Sequence, residues 1–140
     1  MDQAATLGNL PDNPCLTQNL NIHGHHPNAA TFGSLSFYGS DAPAIRKLIA
    51  DNPTLGHSLD AQLPYVEAEV VWAVRMEMAR TVEDILARRT RALFLNAKAA
   101  IRMAPRVAAI LTAELNRDEH WQANQVNDFN QTAKGYLVQI

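Results

Sequence analysis

The sequence predicts an all-α fold, a helical bundle of about four to six helices preceded by an extended, irregular N-terminal arm (residues 1–40). From Ser40 onward, apolar residues recur at spacings of three and four, which places them on one face of a helix. Before Ser40, glycine, proline and asparagine interrupt any such pattern. Because each amphipathic helix must bury its apolar stripe against another, these segments and their short connectors predict an antiparallel bundle.

The arm contains two short apolar runs that allow more than one interpretation. Leu20–Ile22 and Phe32–Tyr38 resemble strands, but the apolar residues of the second run do not alternate strictly. An extended arm and a short hairpin both fit this pattern. We expect residues 1–16 to form a linker or a truncated interdomain segment, and residues 17–140 to form the helical domain.

The first helices are predicted from their start signals. Ser40 opens a helix with a capping side chain and a proline in the first turn, and an Asn-Pro pair ends it. Residues 56–64 then form a connector. The segment from Val66 to Arg91 is either one kinked helix or two, because Thr81 and Asp84 have the spacing of a capping box.

The last helices are also predicted from their caps. Asn96 can cap a helix, and Pro105 is expected to break the interior of that helix or to open a successor. Asp118 can cap the final helix, in which Trp121 and Phe129 share one apolar face at a spacing of eight. These helices complete the predicted bundle.

Charge is unevenly distributed along the chain. The formal net charge of −2 favours neither nucleic acid nor a membrane surface as a partner. The stretch from Arg75 to Arg106 carries eight basic and three acidic residues, a net charge of +5, so the rest of the chain sums to −7. Within it, Arg88, Arg89 and Arg91 fit either a solvated basic turn or a surface that docks onto carboxylates. Nucleic-acid binding is disfavoured, since no aromatic platform interleaves with the basic residues.

The sequence gives little evidence of catalysis in this chain. It contains neither G-x-G-x-x-G nor the P-loop motif, so it cannot bind a flavin dinucleotide in that way by itself. His23, His25, His26 and Cys15 are the most metal-like group, but successive side chains of an extended segment alternate in direction, which favours a solvated loop. The helical carboxylates, such as Asp84, fit ion pairs with arginines four residues away. We therefore predict no catalytic, cofactor-binding or metal-binding residue.

Several strings resemble the C-terminal domain of aerobic, FAD-dependent glycerol-3-phosphate dehydrogenases. The two longest are residues 68–75, which read Ala-Glu-Val-Val-Trp-Ala-Val-Arg, and residues 77–91, which end in Leu-Ala-Arg-Arg-Thr-Arg. Three shorter strings also match: residues 22–24, 38–42 and 63–65. The resemblance runs from about Thr17 to Leu137 and therefore covers nearly the whole chain.

The resemblance implies the activity of a parent enzyme. Such enzymes oxidise sn-glycerol 3-phosphate to dihydroxyacetone phosphate, pass a hydride to FAD, and reduce a quinone or oxygen. The FAD and substrate sites belong to their N-terminal part, so no cofactor is expected in this chain. The resemblance further implies a cytoplasmic location, with the parent peripheral on the inner face of the cytoplasmic membrane. No nucleic-acid partner and no membrane span are expected.

The expected partner of this chain is therefore the N-terminal FAD/substrate domain, on which a helical cap packs. An exposed docking face would also favour self-association of the isolated domain. By analogy, six residues are candidates for cap integrity or interdomain contacts: Arg75, Arg80, Asp84, Arg88, Arg89 and Arg91. The alternative is a stand-alone helical module that binds another protein through the basic face at residues 75–106.

Overall fold

Six α-helices and one two-stranded sheet form the part of the chain that the computed structural model describes, residues 2–11 and 15–137. The helices are α1 (Asp2–Leu7), α2 (Ala42–Asp51), α3 (Glu67–Met76), α4 (Ala92–Leu95), α5 (Ala97–Leu115) and α6 (Glu119–Lys134). This architecture confirms the all-α prediction. Met1 and residues 12–14 of the expected linker, and residues 138–140 of the expected domain, lie outside the described residues.

The main core lies between α3, α5, α6 and the irregular segment that joins α3 to α4. α5 packs along α6 on one side and against α3 on the other. Leu86, Met103, Leu111 and Phe129 are buried at the centre of this core. Burying one such side chain contributes about 1.5–3 kcal/mol in transfer terms. A smaller cluster around Ile45 holds α2 against the start of α3.

Two predicted helix caps are confirmed by hydrogen bonds. The Asn96 side chain accepts a hydrogen bond from the Ala99 N–H at 3.0 Å, and that of Asp118 accepts one from the Trp121 N–H at 2.7 Å. The break expected at Pro105 does not occur, because α5 continues through it. Burial of apolar residues on both sides of the proline outweighs the roughly 3 kcal/mol that an interior proline costs.

The segment from Val66 to Arg91 contains two helical pieces separated by a bend. α3 ends at Met76, and the next helical turn, of π type, spans Asp84–Arg89. The Thr81 hydroxyl accepts a hydrogen bond from the Asp84 N–H at 3.1 Å, and the Asp84 carboxylate accepts one from the Thr81 N–H at 3.0 Å. The predicted capping box is therefore present and starts the second piece.

The N-terminal arm departs from the prediction of strands or an extended chain. Residues Ala29–Asp41 form a series of 3-10 turns, which we call the 3-10 segment, with positive φ angles at Gly33 and Gly39. The segment is fastened by hydrogen bonds between Gly24 and Ser40. A Cβ at Gly39 would lie 1.7 Å from the Gly24 carbonyl oxygen, so only glycine allows this approach.

The hairpin of the structure lies where the sequence predicted a connector. β1 (Ser58–Asp60) pairs antiparallel with β2 (Leu63–Val66), and Ser58 faces Val66 in the register. The Asp60 carboxylate accepts a hydrogen bond from the Gln62 N–H at 2.9 Å, which closes the turn. The strands are too short to show an alternating pattern, and this explains why the sequence did not indicate them.

Candidate functional site

A cleft of about 740 Å³ opens between the 3-10 segment, the first turn of α3 and residues 88–95. We call it the arginine cleft. Its wall combines aromatic and aliphatic side chains with arginines and two glutamates. The lining residues are Ser34, Phe37, Tyr38, Tyr65, Glu69, Glu77, Arg88, Arg89, Thr90, Arg91, Phe94 and Leu95. The cleft holds three of the six residues that the sequence singled out.

Glu69 lies in the wall of the cleft and is only 3% exposed. Its carboxylate accepts a hydrogen bond from the Val66 N–H at 2.8 Å, which caps the first turn of α3. Burial raises the pKa of Glu69 to about 7, although hydrogen bonds from Val66 and Tyr38 oppose the rise. The charge of this carboxyl group therefore changes near neutral pH.

Two tyrosines tie this carboxyl group to the rest of the cleft. Burial raises the pKa of Tyr38, and the negative charge of Glu69 raises it further, so the phenol stays protonated. The Tyr65 hydroxyl donates a hydrogen bond to the Thr90 carbonyl oxygen. The Thr90 hydroxyl in turn donates to the Ile85 carbonyl oxygen at 2.9 Å. These bonds hold β2 against the π turn and so fix the two sides of the cleft.

Arg88 and Arg89 are neutralised by carboxylates of this chain. Arg88 forms ion pairs with Asp84 and, at 2.8 Å, with Glu83. Arg89 lies 3.3 Å from the Glu77 carboxylate and also donates to the Glu77 carbonyl oxygen at 2.6 Å. Burial raises the pKa of Glu77, and the Arg89 charge partly opposes that rise. Arg89 therefore braces the bend between α3 and the π turn, and Arg88 holds the start of the π turn.

Three more of the six residues hold the domain together away from the cleft. Arg75 donates two hydrogen bonds of 2.7 Å to Glu114, which join α3 to α5. Arg80 donates to the carbonyl oxygens of Val74 and Ala79 at 3.1 and 2.9 Å. Asp84 accepts from backbone N–H groups in the capping box described above. All of these contacts are internal to the chain.

Arg91 differs from the other arginine candidates. Its backbone is left-handed, with φ of +58°, and its carbonyl oxygen accepts hydrogen bonds from the Phe94 and Leu95 N–H groups at the start of α4. Its side chain is exposed at the cleft. In the described ranges, 2–11 and 15–137, the guanidinium has no hydrogen bond or ion pair with a carboxylate. Arg91 is thus available to a group from outside the chain.

Sequence reasoning missed the apolar residues that surround Arg91. Phe37, Phe94 and Leu95 line the cleft and are 94%, 57% and 65% exposed. The Phe94 ring also packs edge-on against Tyr136, with ring centroids 5.5 Å apart. These residues lie off the helical stripes, which was a signal that they do not belong to the core. Several large apolar side chains exposed together indicate a contact surface.

The basic face at residues 75–106 is largely neutralised. Arg102 donates two hydrogen bonds to Asp60, at 2.8 and 2.9 Å, and Arg106 donates two of 2.7 Å to the buried Glu67. Together with the pairs of Arg75, Arg88 and Arg89, these contacts leave little free positive charge. The alternative of a stand-alone module that binds through this face is not favoured.

Two of the three histidines at residues 23–26 make contacts within the described part of the chain. His23 Nε2 lies 2.8 Å from the Asp41 carboxylate, and His26 Nδ1 accepts a hydrogen bond from the Asn28 N–H at 3.2 Å. Cys15 is an exposed thiol within 3.4 Å of the Thr17 hydroxyl. Among the described residues, no group of three or more histidine, cysteine or acidic side chains could hold a metal ion.

Comparison with known proteins identifies the family. The model of the C-terminal domain of alpha-glycerophosphate oxidase matches residues 15–122. The chain belongs to this family. It is 36% identical to the mitochondrial glycerol-3-phosphate dehydrogenase of Macaca fascicularis and 35% identical to that of Homo sapiens, each over 104 residues. Each match covers 71% of this chain and 14% of the relative.

A plant relative aligns with nearly the whole chain. The mitochondrial glycerol-3-phosphate dehydrogenase SDP6 of Arabidopsis thaliana is 30% identical over 168 aligned positions, which cover 98% of this chain and 26% of the relative. No solved structure matches the chain. The chain therefore spans between about a seventh and a quarter of the length of these relatives.

The expected cytoplasmic location is wrong. The relatives from macaque, human and Arabidopsis are all named mitochondrial. The sequence offered only one cysteine, which argues against a disulfide framework but does not distinguish the cytoplasm from a mitochondrion. No helix among the described residues is long and apolar enough to cross a membrane.

Proposed function

We propose that this chain is the non-catalytic C-terminal domain of a flavin-dependent glycerol-3-phosphate dehydrogenase. It packs on the part of the enzyme that binds FAD and substrate and supports that part. The family match over residues 15–122 is the observation that carries this proposal. The whole enzyme would oxidise sn-glycerol 3-phosphate to dihydroxyacetone phosphate, with FAD as the hydride acceptor.

The contacts of the six candidate residues support two different roles, stabilisation of the domain and docking on the catalytic body. Arg75, Arg80, Asp84, Arg88 and Arg89 make contacts within the chain, and we assign them to the integrity of the domain. We assign the remaining candidate, Arg91, to the contact with the catalytic body. None of the six is assigned to chemistry, because five of them make structural contacts within the described residues and Arg91 is exposed at the cleft.

We further propose that residues 1–16 connect this domain to the preceding part of the enzyme and that residues 17–140 form the domain itself. The family match begins at residue 15, close to this boundary. The residues near it, 15–20, are exposed, as is usual for an interdomain segment. The domain core begins later, with the buried Leu35.

The non-catalytic role is tested with the purified chain. Flavin fluorescence is followed while FAD is titrated, and dye reduction is followed after addition of glycerol 3-phosphate and FAD. We expect neither saturable binding nor turnover, because the chain contains no G-x-G-x-x-G motif to cradle a dinucleotide. Saturable flavin binding or turnover that scales with chain concentration would show that the domain holds a cofactor or substrate site and would overturn the proposal.

A further inference from the structure

The arginine cleft has the features of a recognition site for one kind of protein segment. We propose that it receives a segment of the catalytic body in which a carboxylate side chain lies next to apolar side chains. The carboxylate pairs with Arg91, and the apolar side chains cover Phe37, Phe94 and Leu95. This inference rests on the proposed function and adds to it the location and the chemistry of the docking contact.

The first argument is charge. Arg88 and Arg89 also line the cleft, but Glu83, Asp84 and Glu77 neutralise them. Arg91 forms no ion pair with a carboxylate in the described part of the chain, although Glu69 and Glu77 line the same cleft, so the group that complements its guanidinium is an anion. A guanidinium presents parallel N–H donors that match both oxygens of a carboxylate.

The second argument is the backbone at Arg91. A φ of +58° is unusual for any residue with a Cβ, and glycine or asparagine fills such positions most readily. Here the conformation begins α4 and places an arginine, not a glycine, beside the cleft. The backbone is held by the Phe94 and Leu95 N–H groups, which donate to the Arg91 carbonyl oxygen at 3.0 and 3.2 Å. These hydrogen bonds therefore fix the position of the Arg91 backbone beside the cleft.

The third argument is the exposed apolar surface around Arg91. Phe37, Phe94 and Leu95 come from two separate parts of the chain yet line the same cleft. Their exposure has an unfavourable hydration free energy that a partner removes when it covers them. An interface with an apolar centre and an arginine anchor is typical of protein contacts. A purely polar partner would leave this surface in water.

The occupant that fits best is the remainder of the same enzyme. The matched segment accounts for 14% of the mammalian relatives, so most of their surface lies in the part that this chain does not contain. A segment of the same polypeptide is present at an effective concentration of about millimolar, so a weak local contact suffices. A second copy of this chain is the competing occupant, and the experiment below separates the two.

Amide NMR of the isotope-labelled chain, titrated with acetyl-Leu-Glu-Phe-amide, tests the proposal. Acetyl-Leu-Gln-Phe-amide serves as the matched neutral probe. We expect the acidic peptide to shift the amides of Arg91, Phe94 and Leu95, with a dissociation constant no higher than the effective concentration of about millimolar that a tethered segment reaches. The neutral peptide and the Arg91→Gln variant should each bind about tenfold more weakly. Arg117→Gln, at an exposed arginine outside the cleft, should bind like the wild type.

Three results would overturn the proposal: equal binding of both peptides, equal binding by the Arg91→Gln variant, or shifts that lie outside the cleft. If the cleft amides shift with chain concentration in the absence of peptide, and sedimentation shows a dimer, the occupant of the cleft is a second copy of this chain. That result would overturn the assignment to the catalytic body. No flavoprotein enters this titration. Its failure is therefore distinct from failure of the proposed function, which the activity measurements decide.

Discussion

The buried carboxyl group of Glu69 gives the sharpest prediction about stability. Its pKa is raised from 4.5 to about 7 in the folded chain, chiefly by burial. Such a rise corresponds to about 3 kcal/mol of unfolding free energy, at about 1.4 kcal/mol for each tenfold change. Because the side chain is only 3% exposed, solvent screening reduces this figure little.

The sign follows from proton binding in the two states. Below pH 4.5 the carboxyl group is protonated in both the folded and the unfolded chain, and its contribution to stability is fully present. Between pH 4.5 and about 7 the unfolded chain loses the proton while the folded chain keeps it, so stability falls as pH rises. Above pH 7 both states are ionised, and the contribution of Glu69 no longer changes.

Urea unfolding of the wild type and of Glu69→Gln between pH 4.5 and 8 measures this contribution. Glutamine keeps an acceptor for the Val66 N–H but carries no charge. As pH rises across this range, the free energy of unfolding of the wild type should fall by up to about 3 kcal/mol relative to that of the variant. The pKa values of Tyr38 and Tyr65 are raised by burial, so both phenols stay protonated over this range. Glu77 titrates in both proteins and largely cancels in the difference. Parallel profiles for the two proteins would refute the reasoning that burial raises this pKa.

Three further predictions concern stability and are measured by the same unfolding assay at constant pH. Gly39→Ala should lower the free energy of unfolding by more than about 2 kcal/mol, because the new Cβ clashes with a carbonyl oxygen and the positive φ is strained for alanine. Gly24→Ala adds only the strained φ and should lower the free energy of unfolding by about 1 kcal/mol. Equal costs would contradict the close approach. Arg106→Gln leaves a buried glutamate unpaired and should lower the free energy of unfolding by about 2 kcal/mol, whereas Lys47→Gln, whose partner Asp51 is exposed, should lower it by less than about 1 kcal/mol. The reverse order would show that burial does not decide the cost. Asn96→Ala should cost about 1 kcal/mol through loss of the helix cap, and no change would mean that the cap contributes nothing.

Local rules predicted most of the helical fold. The stripes of the later helices and the caps at Asn96 and Asp118 depend on residues within a few positions of each other, so the sequence alone shows them. The bend at Thr81 was visible for the same reason. Pro105 was misjudged because the packing that keeps α5 continuous comes from other helices.

The site was less predictable because its contacts are distant in sequence. Arg75 meets Glu114 across 39 positions, and Arg102 meets Asp60 across 42, so neither pair follows from helical spacing. The sequence showed a basic stretch, but only the fold shows that most of its charge is paired. The same limit applies to Phe37 and Phe94, which become neighbours in the cleft only after the 3-10 segment folds back on α3.

The supporting role of this domain is tested most directly in a whole relative. The Arabidopsis thaliana dehydrogenase aligns with 98% of this chain, so its matching C-terminal segment can be deleted or replaced by this chain. Dye reduction by glycerol 3-phosphate and the thermal midpoint are compared for the whole, deleted and replaced enzymes. We expect deletion to lower both and replacement to restore them in part. A deleted enzyme that turns over as fast and melts as high as the whole one would contradict the proposal.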